Sequence, residues 1–320
     1  MPIEFRAVRE PSFDLLADVS ASAPENPFYT HAYVESIRLR GLVPFALTLQ
    51  SDNKILTACT AFLRSGRLNR RLEITSLPSL PNGEQFWHGL VEFCRASDIS
   101  ILNIETFGST GTAIPSLDGE TRRNGRYEFQ LDLAAANLWD GLNRRNRRGI
   151  KKAMEAGLQF RRVEGPEACR THVNIANSSL NRRRRRGEEI GYEIGEADAL
   201  AFTQHKVGEI YQAASDNEVL SSILVLRSET GAYAQTSGTR DEGLEFGASQ
   251  FLWYETARRL QSESITVLNM GGTEKKSLGL QEFKAGFGAR RLELESVECN
   301  FAGIVRKTVG TVIERFRSRK

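Results

Sequence analysis

A repeat constrains the fold of this chain most. The stretch Ser97-Asp98-Ile99-Ser100-Ile101-Leu102-Asn103-Ile104 has a counterpart in Glu263-Ser264-Ile265-Thr266-Val267-Leu268-Asn269-Met270. Each closes a segment with helical apolar spacing, and each lies at a similar distance beyond a β-rich hairpin. A chain that repeats a hairpin, a helix and a strand in this order folds as two copies of one α/β unit. The boundary falls near Ala134–Ala136, giving domains 1–135 and 136–320, both of ordinary domain length.

The first copy opens with a strand over Ile3–Val8 and a helix over Ser12–Val19. A helix through Tyr33, Ile37 and Leu39 ends at Gly41. Runs Val43–Leu49 and Ile55–Leu63 flank Ser51-Asp52-Asn53, which is turn chemistry, and form a hairpin. A short strand follows at Leu72–Thr75. Phe86, Leu90, Val91 and Cys94 place one face of a helix over Glu84–Ala96, and Ile99–Ile104 alternates as a strand. Gly108–Gly125 reads as a loop, and Tyr127, Phe129, Leu131 and Leu133 alternate again.

The second copy begins with a helix over Leu138–Ala156, a strand over Leu158–Val163 and a helix over Pro166–Arg183. A helix over Ala197–Ala214 comes next. A hairpin of Val219–Arg227 and Ala232–Thr239 precedes a helix over Ala248–Leu260. Ile265–Asn269 is then a strand, Gly271-Gly272 a turn, and the stretch to Gly288 a short helix carrying Phe283-Lys284. A strand over Arg290–Val297 and an amphipathic helix through Val305, Val309, Val312, Ile313 and Phe316 close the chain.

Composition narrows the function classes. With 40% hydrophobic and 26% charged residues the chain is an ordinary globular one. Cys59, Cys94, Cys169 and Cys299 are scattered singly, as in a reducing compartment. His31, His88, His172 and His205 are isolated and read as surface or packing residues. No metal-ligand spacing, nucleophile elbow or Walker-type loop is present, so metal-dependent and covalent catalysis are not indicated. No apolar signal core opens the chain and no run reaches membrane-spanning length, which points to a cytoplasmic protein.

Positive charge is concentrated in two places. At roughly 100° per residue, Leu138, Leu142, Ile150 and Ala153 share a sector of about 120°. Arg144, Arg145, Arg147, Arg148, Lys151 and Lys152 occupy the rest. A second cluster, Arg182–Arg186, sits where a helix should stop at Gly187. Both clusters could be solvated faces complementing a helix dipole. They could equally contact phosphate, since arginine forks fit phosphate oxygens. A nucleotide, CoA, tRNA or anionic lipid would then be the partner, with Arg147, Lys151 and Arg183 as candidate contacts. Sequence-specific DNA binding is not expected, because no recognition motif for it occurs.

Arg240-Asp241-Glu242-Gly243-Leu244-Glu245 lies between a strand and a helix, where a pyrophosphate loop of Arg/Gln-x-x-Gly-x-Gly/Ala type would stand. Arg240 and Gly243 fit it; Glu245 replaces a small residue. Gly247 and Ala248 supply small residues in a shifted register.

Four segments together resemble the FemAB-like, or CelD/BioF-like, branch of the GNAT acyltransferase superfamily. They are Asn26-Pro27-Phe28 with Thr30 and Tyr33; Leu138-Trp139 leading through Leu142-Asn143-Arg144-Arg145-Asn146-Arg147-Arg148 to Lys152-Ala153; Leu268-Asn269-Met270-Gly271-Gly272; and Phe283-Lys284-Ala285-Gly286-Phe287-Gly288. The resemblance implies tandem GNAT-like domains, each a mixed, largely antiparallel sheet flanked by helices. It implies transfer of an acyl or aminoacyl group to an amine, with acyl-CoA or aminoacyl-tRNA as co-substrate and no permanent cofactor. An envelope or exopolysaccharide precursor is among the acceptors it suggests, and the inner membrane surface among the locations. Lys284 corresponds to the lysine of the transfer centre, where a cation would stabilise an oxyanion. Phe283 and Tyr233 would line the pocket. Asn269 stands where the family commonly has Asp; an amide cannot act as a base but can orient a substrate. A non-catalytic RNA-binding or scaffold protein is the alternative that Asn269 and Glu245 leave open.

Overall fold

The computed structural model describes residues 3–52, 54–66, 69–80, 83–110, 113–135, 137–188, 193–216 and 218–302. The closing helix expected through Val305–Phe316 lies outside them. In chain order the first elements are β1 (Glu4–Arg9), α1 (Phe13–Ala21), a 3-10 turn at Pro27–Tyr29, α2 (His31–Arg38), β2 (Val43–Ser51), β3 (Lys54–Ser65), β4 (Arg70–Ile74), α3 (Gly83–Ala96), β5 (Ile101–Ile104) and β6 (Glu120–Asp132). There follow α4 (Arg144–Glu155), β7 (Gln159–Val163), α5 (Pro166–Arg185), α6 (Glu196–Gln204), β8 (Gly208–Ser215), β9 (Glu218–Arg227), β10 (Gly231–Thr239), α7 (Asp241–Glu245), α8 (Ala248–Ser262), β11 (Val267–Thr273), α9 (Leu278–Ala285) and β12 (Arg290–Asn300).

These elements form two compact units, and neither is one continuous stretch. The first comprises Met1–Ser22, Gly41–Arg126 and Glu293–Lys320; the second comprises Ala23–Arg40 and Tyr127–Leu292. The sequence suggested a single cut after residue 135. In space, residues 23–40 join the second unit and the segment from Glu293 joins the first.

Within each unit the strand order is the same. In the first it is β1-β2-β3-β4-β5-β12, in the second β7-β8-β9-β10-β11-β6. The fifth strand of each pairs in parallel with the fourth and antiparallel with the last. Other pairings are antiparallel. The last strands are exchanged in chain order: β6 follows β5 but pairs with β11, and β12 follows β11 but pairs with β5.

Local geometry confirms the repeat at its junction. Asp98 and Ser264 both take left-handed conformations, with φ of 53° and 64°. One residue on, Ile99 N bonds to the Cys94 carbonyl and Ile265 N to the Leu260 carbonyl. Both helices therefore end in the same αL cap before the chain enters the sheet.

Several elements differ from the sequence reading for identifiable reasons. Residues 208–214 belong to strand β8 and not to a helix, which ends at Gln204, just before Lys206 takes φ 58°. Because β8 is paired on both sides and buried almost throughout, it shows no alternation, and its Ala213-Ala214 follow burial over propensity. Helix α4 starts at Arg144, not Leu138: Asn137 Oδ1 accepts from Trp139 N at 3.0 Å, and Asn143 Oδ1 accepts from Asn146 N at 2.8 Å. Two asparagines thus offer the backbone turn and cap alternatives to a helix. Strand β6 takes in Glu120–Gly125, which read as loop, and β11 runs on through Gly271-Gly272, which read as a turn.

Candidate active site

The second unit opens its sheet at one place. The parallel ladder of β10 and β11 runs from Gly231↔Val267 to Tyr233↔Asn269 and ends there. Beyond that point β10 bulges between Ala234 and Thr236 against β9, and β11 bulges between Asn269 and Gly272 against β6. Bulges on two neighbouring strands bend each away from a straight ladder and re-aim side chains. Gly271 carries the second bulge with φ 78°. A Cβ there would stand 3.0 Å from the Ala234 carbonyl oxygen, 3.8 Å from Lys284 Nζ and 3.9 Å from Tyr233 Oη. Only glycine accepts both that φ and that crowding without strain.

Lys284, in the last turn of α9, is only 5% exposed. Its Nζ donates to the Gly271 carbonyl at 2.8 Å and to the Gly272 carbonyl at 3.0 Å. A buried cation persists only with such partners, so the bulge that displaces these carbonyls is also what holds the lysine. Tyr233 Oη donates to Glu128 Oε1 at 2.9 Å, and Asn269 Nδ2 donates to Glu128 Oε2 at 2.7 Å. The Asn269 amide orientation is fixed independently, because its Oδ1 accepts from Gly271 N at 2.8 Å. Glu128, Tyr233 and Asn269 are all buried.

Glu128 escaped the sequence reading. It lies on β6 between Tyr127 and Phe129, whose alternation marked it as a solvent-facing residue of a half-buried strand. Pairing with β11 places it, fully buried, beside Asn269. The carboxylate that Asn269 does not supply therefore comes from the adjacent strand. Only an acidic residue within an apolar alternation was there as a signal.

The asparagine, proline and aromatic segment near residue 28 supports the same place. Asn26 Oδ1 accepts from Phe28 N at 3.0 Å, and Thr30 Oγ1 caps α2 by accepting from Tyr33 N at 3.2 Å. Phe28 is thereby set edge-on to the Tyr233 ring, centroids 4.9 Å apart. At the other side, Asn143 N donates to the Gly286 carbonyl at 2.8 Å and Asn146 Nδ2 to the Phe283 carbonyl at 3.3 Å. The start of α4 is thus tied to the residues flanking Lys284. Phe283 is half-buried in an aromatic cluster with Phe287 and Trp253.

The remaining candidates lie elsewhere. Arg147 turns back to the Asp140 carbonyl at 2.9 Å. Lys151 is exposed on α4. Arg183 is held by Glu188 at 2.7 Å. Arg240 lines a groove of about 630 Å³ with Thr171, Ser215, Asp216, Glu218 and Val219. Gly243 and Gly247 press on backbone, where a Cβ would come within 2.8 Å of the Leu220 carbonyl and 2.3 Å of the Gly149 carbonyl. Ala248 is buried at the start of α8. Asp241, Glu242 and Glu245 are exposed around this loop, and Asp241 pairs with Arg182 at 2.6 Å.

Of the histidines, His172 is fully buried where helix α5 packs on β9 and β10. Its Nδ1 lies 3.0 Å from Ser222 Oγ and its Nε2 2.7 Å from Thr236 Oγ1, beside the β10 bulge. Burial pushes its pKa down to about 4, so it is neutral near pH 7. Burial also pushes the thiols of Cys59 and Cys94 up to about 12, so neither is a thiolate nucleophile at neutral pH. Among the described residues no group of acidic, histidine and cysteine side chains is placed to hold a metal ion. No helix among them is long and apolar enough to cross a membrane.

Comparison with known proteins bears on this geometry. No curated protein matches the chain in sequence. Among solved structures, FemX aligns with a TM-score of 0.67 at 12% identity, over 91% of this chain and 96% of that one. A tandem GNAT protein from the clavulanic acid biosynthesis pathway aligns at 0.56 and 14%, over 94% and 99%. L-PGS from Bacillus licheniformis aligns at 0.56 and 14%, over 94% and 96%. At these identities the likeness establishes the fold. Residues 142–285 match the family described as acetyltransferase (GNAT) domain, and that stretch contains Lys284, Tyr233, Asn269 and both bulges. The chain thus contains a stretch similar to the GNAT domain, within a tandem fold like that of FemX and the tandem GNAT protein.

Proposed function

We propose that this protein is a cytoplasmic N-acyltransferase that moves an acyl or aminoacyl group from an activated donor to an amine, with its transfer centre at Lys284. One observation carries the reading: a buried lysine, held by the carbonyls of a bulge, stands where the β10–β11 ladder ends, next to a buried Glu128–Tyr233 pair.

In this reading the acceptor amine attacks the donor carbonyl carbon, and the carbonyl electron pair moves onto oxygen. Lys284 stabilises that oxyanion, with its charge already fixed in place. The amine proton passes to Tyr233 Oη as the tyrosine proton passes to Glu128 Oε1. Collapse of the intermediate breaks the bond to the leaving sulfur or oxygen, which takes up the proton held at Glu128. Asn269 keeps the carboxylate oriented, and Phe283 walls the acceptor side. The first unit, with most of residues 1–135, supports the fold and acceptor binding.

Acyl-CoA is the donor that the GNAT domain suggests. An aminoacyl-tRNA is the second reading, and the loop from Arg240 to Ala248 favours it. Its glycines are pressed on backbone, and it carries three exposed carboxylates, Asp241, Glu242 and Glu245, unsuited to a diphosphate. Transfer assays with labelled acetyl-CoA and with charged tRNA, each against a panel of amines, separate the two. Acetyl-CoA should raise the melting temperature only if it is the donor. Turnover of neither donor, with salt-sensitive RNA binding, would leave a non-catalytic scaffold.

A further inference from the structure

Helix α4 presents Arg144, Arg145, Arg148, Lys151 and Lys152 to solvent. At roughly 100° per residue these five fall within a sector of about 120°. Among the described residues none of them has a side-chain hydrogen bond or ion pair, whereas the second arginine cluster is largely neutralised. There Arg182 pairs with Asp241, Arg183 with Glu188 and Arg184 with Glu193. Glu155, at the end of α4, is the one carboxylate within the sector, leaving an excess of four positive charges on a helix about 18 Å long. Exposed like cations at i, i+3 and i+4 repel one another, by a few tenths of a kcal/mol per pair. Nothing in the folding of α4 requires them, because its buried face is Asn146, Ile150 and Ala153.

We propose that this face of α4 docks on the surface of an anionic phospholipid bilayer. Four to eight Lys and Arg on one amphipathic helix are what a negatively charged leaflet attracts, at about 1 kcal/mol each. The helix is braced along α8, where Gly149 backs onto Gln250 and Gly247, so it presents a fixed face and cannot wrap a partner. Met154 stands on the shoulder of the cationic sector, 46% exposed, and adds an apolar contact at headgroup depth. A single-stranded nucleic acid fits less well. Recognition of that kind uses aromatic stacking platforms, and the sector has only guanidinium and ammonium groups with Glu155. The docked helix would also place the site near the membrane, because Asn143 and Asn146 at its start bond to Gly286 and Phe283 on either side of Lys284.

The test is co-sedimentation of the full chain with vesicles, without donor or acceptor, so that its result stands apart from that of any transfer assay. Vesicles of phosphatidylcholine alone are compared with vesicles containing 30% phosphatidylglycerol. Binding should appear only with the anionic lipid and weaken steeply between 0.1 and 0.5 M salt, where the screening length shrinks from about 10 Å to a few ångströms. The triple variant Arg145→Gln, Arg148→Gln, Lys152→Gln should bind on the order of 100-fold more weakly, about fivefold per charge, with an unchanged melting temperature. Arg258→Gln, which removes a cation already paired with Glu255, should change binding less than twofold. Equal binding to both vesicle types, full binding by the triple variant, or tighter binding to a uridine 20-mer than to the anionic vesicles would each overturn the proposal.

Discussion

The two units build the same junction and put it to different uses. In the first, β4 and β5 pair from Arg71↔Ile101 to Ile74↔Ile104, and the bonding continues beyond: Glu105 N to the Ile74 carbonyl at 2.7 Å, Phe107 N to the Thr75 carbonyl at 3.0 Å. In the second, the equivalent ladder of β10 and β11 stops at Asn269. The zipped version continues its backbone bonding past the end of the ladder. The open version carries two bulges, a left-handed glycine and a buried lysine. Asn103 and Asn269 occupy corresponding positions, yet only Asn269 orients a buried carboxylate. The difference teaches that strand order is set by the repeat, whereas the site is set by where one ladder is interrupted.

Substitutions can break this comparison. The largest effect on stability should come from Glu128→Ala, which leaves Tyr233 and Asn269 without the carboxylate they bond to. Removing one partner of a buried charged group costs about 3–5 kcal/mol, readable as a lower denaturant midpoint. Glu128→Gln keeps the volume and should retain more of the stability while abolishing proton transfer.

Lys284→Met should lower the transfer rate by roughly 10²–10³-fold, about 2.7–4 kcal/mol in the barrier, measured at saturating donor. Wild-type rates in this variant would remove the second unit's claim to the chemistry.

His172 sharpens the contrast through pH. Its folded pKa is about 4, while an exposed histidine titrates near 6.5, so the unfolded chain binds a proton in that window and the folded chain does not. Stability should therefore fall as the pH drops from 6.5 towards 4, by about 3 kcal/mol from this group. His172→Gln should flatten that part of the profile. A profile unchanged by the substitution would mean that His172 does not pin the bulged strand as described.

The smallest effect separates the two asparagines directly. Asn269→Ala leaves a carboxylate oxygen and the Gly271 N–H without their partners, which costs about 1–3 kcal/mol, and transfer should drop with it. Asn103→Ala, at a half-buried position in the zipped ladder, should cost below about 1 kcal/mol and leave transfer unchanged. Equal losses in both would erase the distinction between the units.

Much of the architecture was legible before the fold. The hairpins of each half, the helices over Gly83–Ala96 and Ala248–Ser262, and the repeated strand all carry local apolar periodicity, which survives without knowledge of neighbours. Residues 208–214 were not legible as a strand, because a strand buried on both faces loses alternation and its alanines favour a helix in isolation. The start of α4 was misplaced because apolar spacing continues through Leu138 and Leu142 while Asn143 caps the helix. Lys284 was visible only by resemblance.

By itself, then, the sequence determined that two α/β units of one plan exist and that the second carries Phe283-Lys284 and the glycines around it. Those are facts of local pattern. The tertiary structure alone decided three things. It gave the end of β6, from Tyr127, to the second unit and the end of β12, from Glu293, to the first. It brought Glu128 to Asn269. It left five cations of α4 unpaired while pairing three of the arginines on α5. Each depends on which strand lies beside which, or on which carboxylate comes within 4 Å of a cation. Such contacts join residues far apart in the chain, 141 positions for Asn269 and Glu128, and no local periodicity records them.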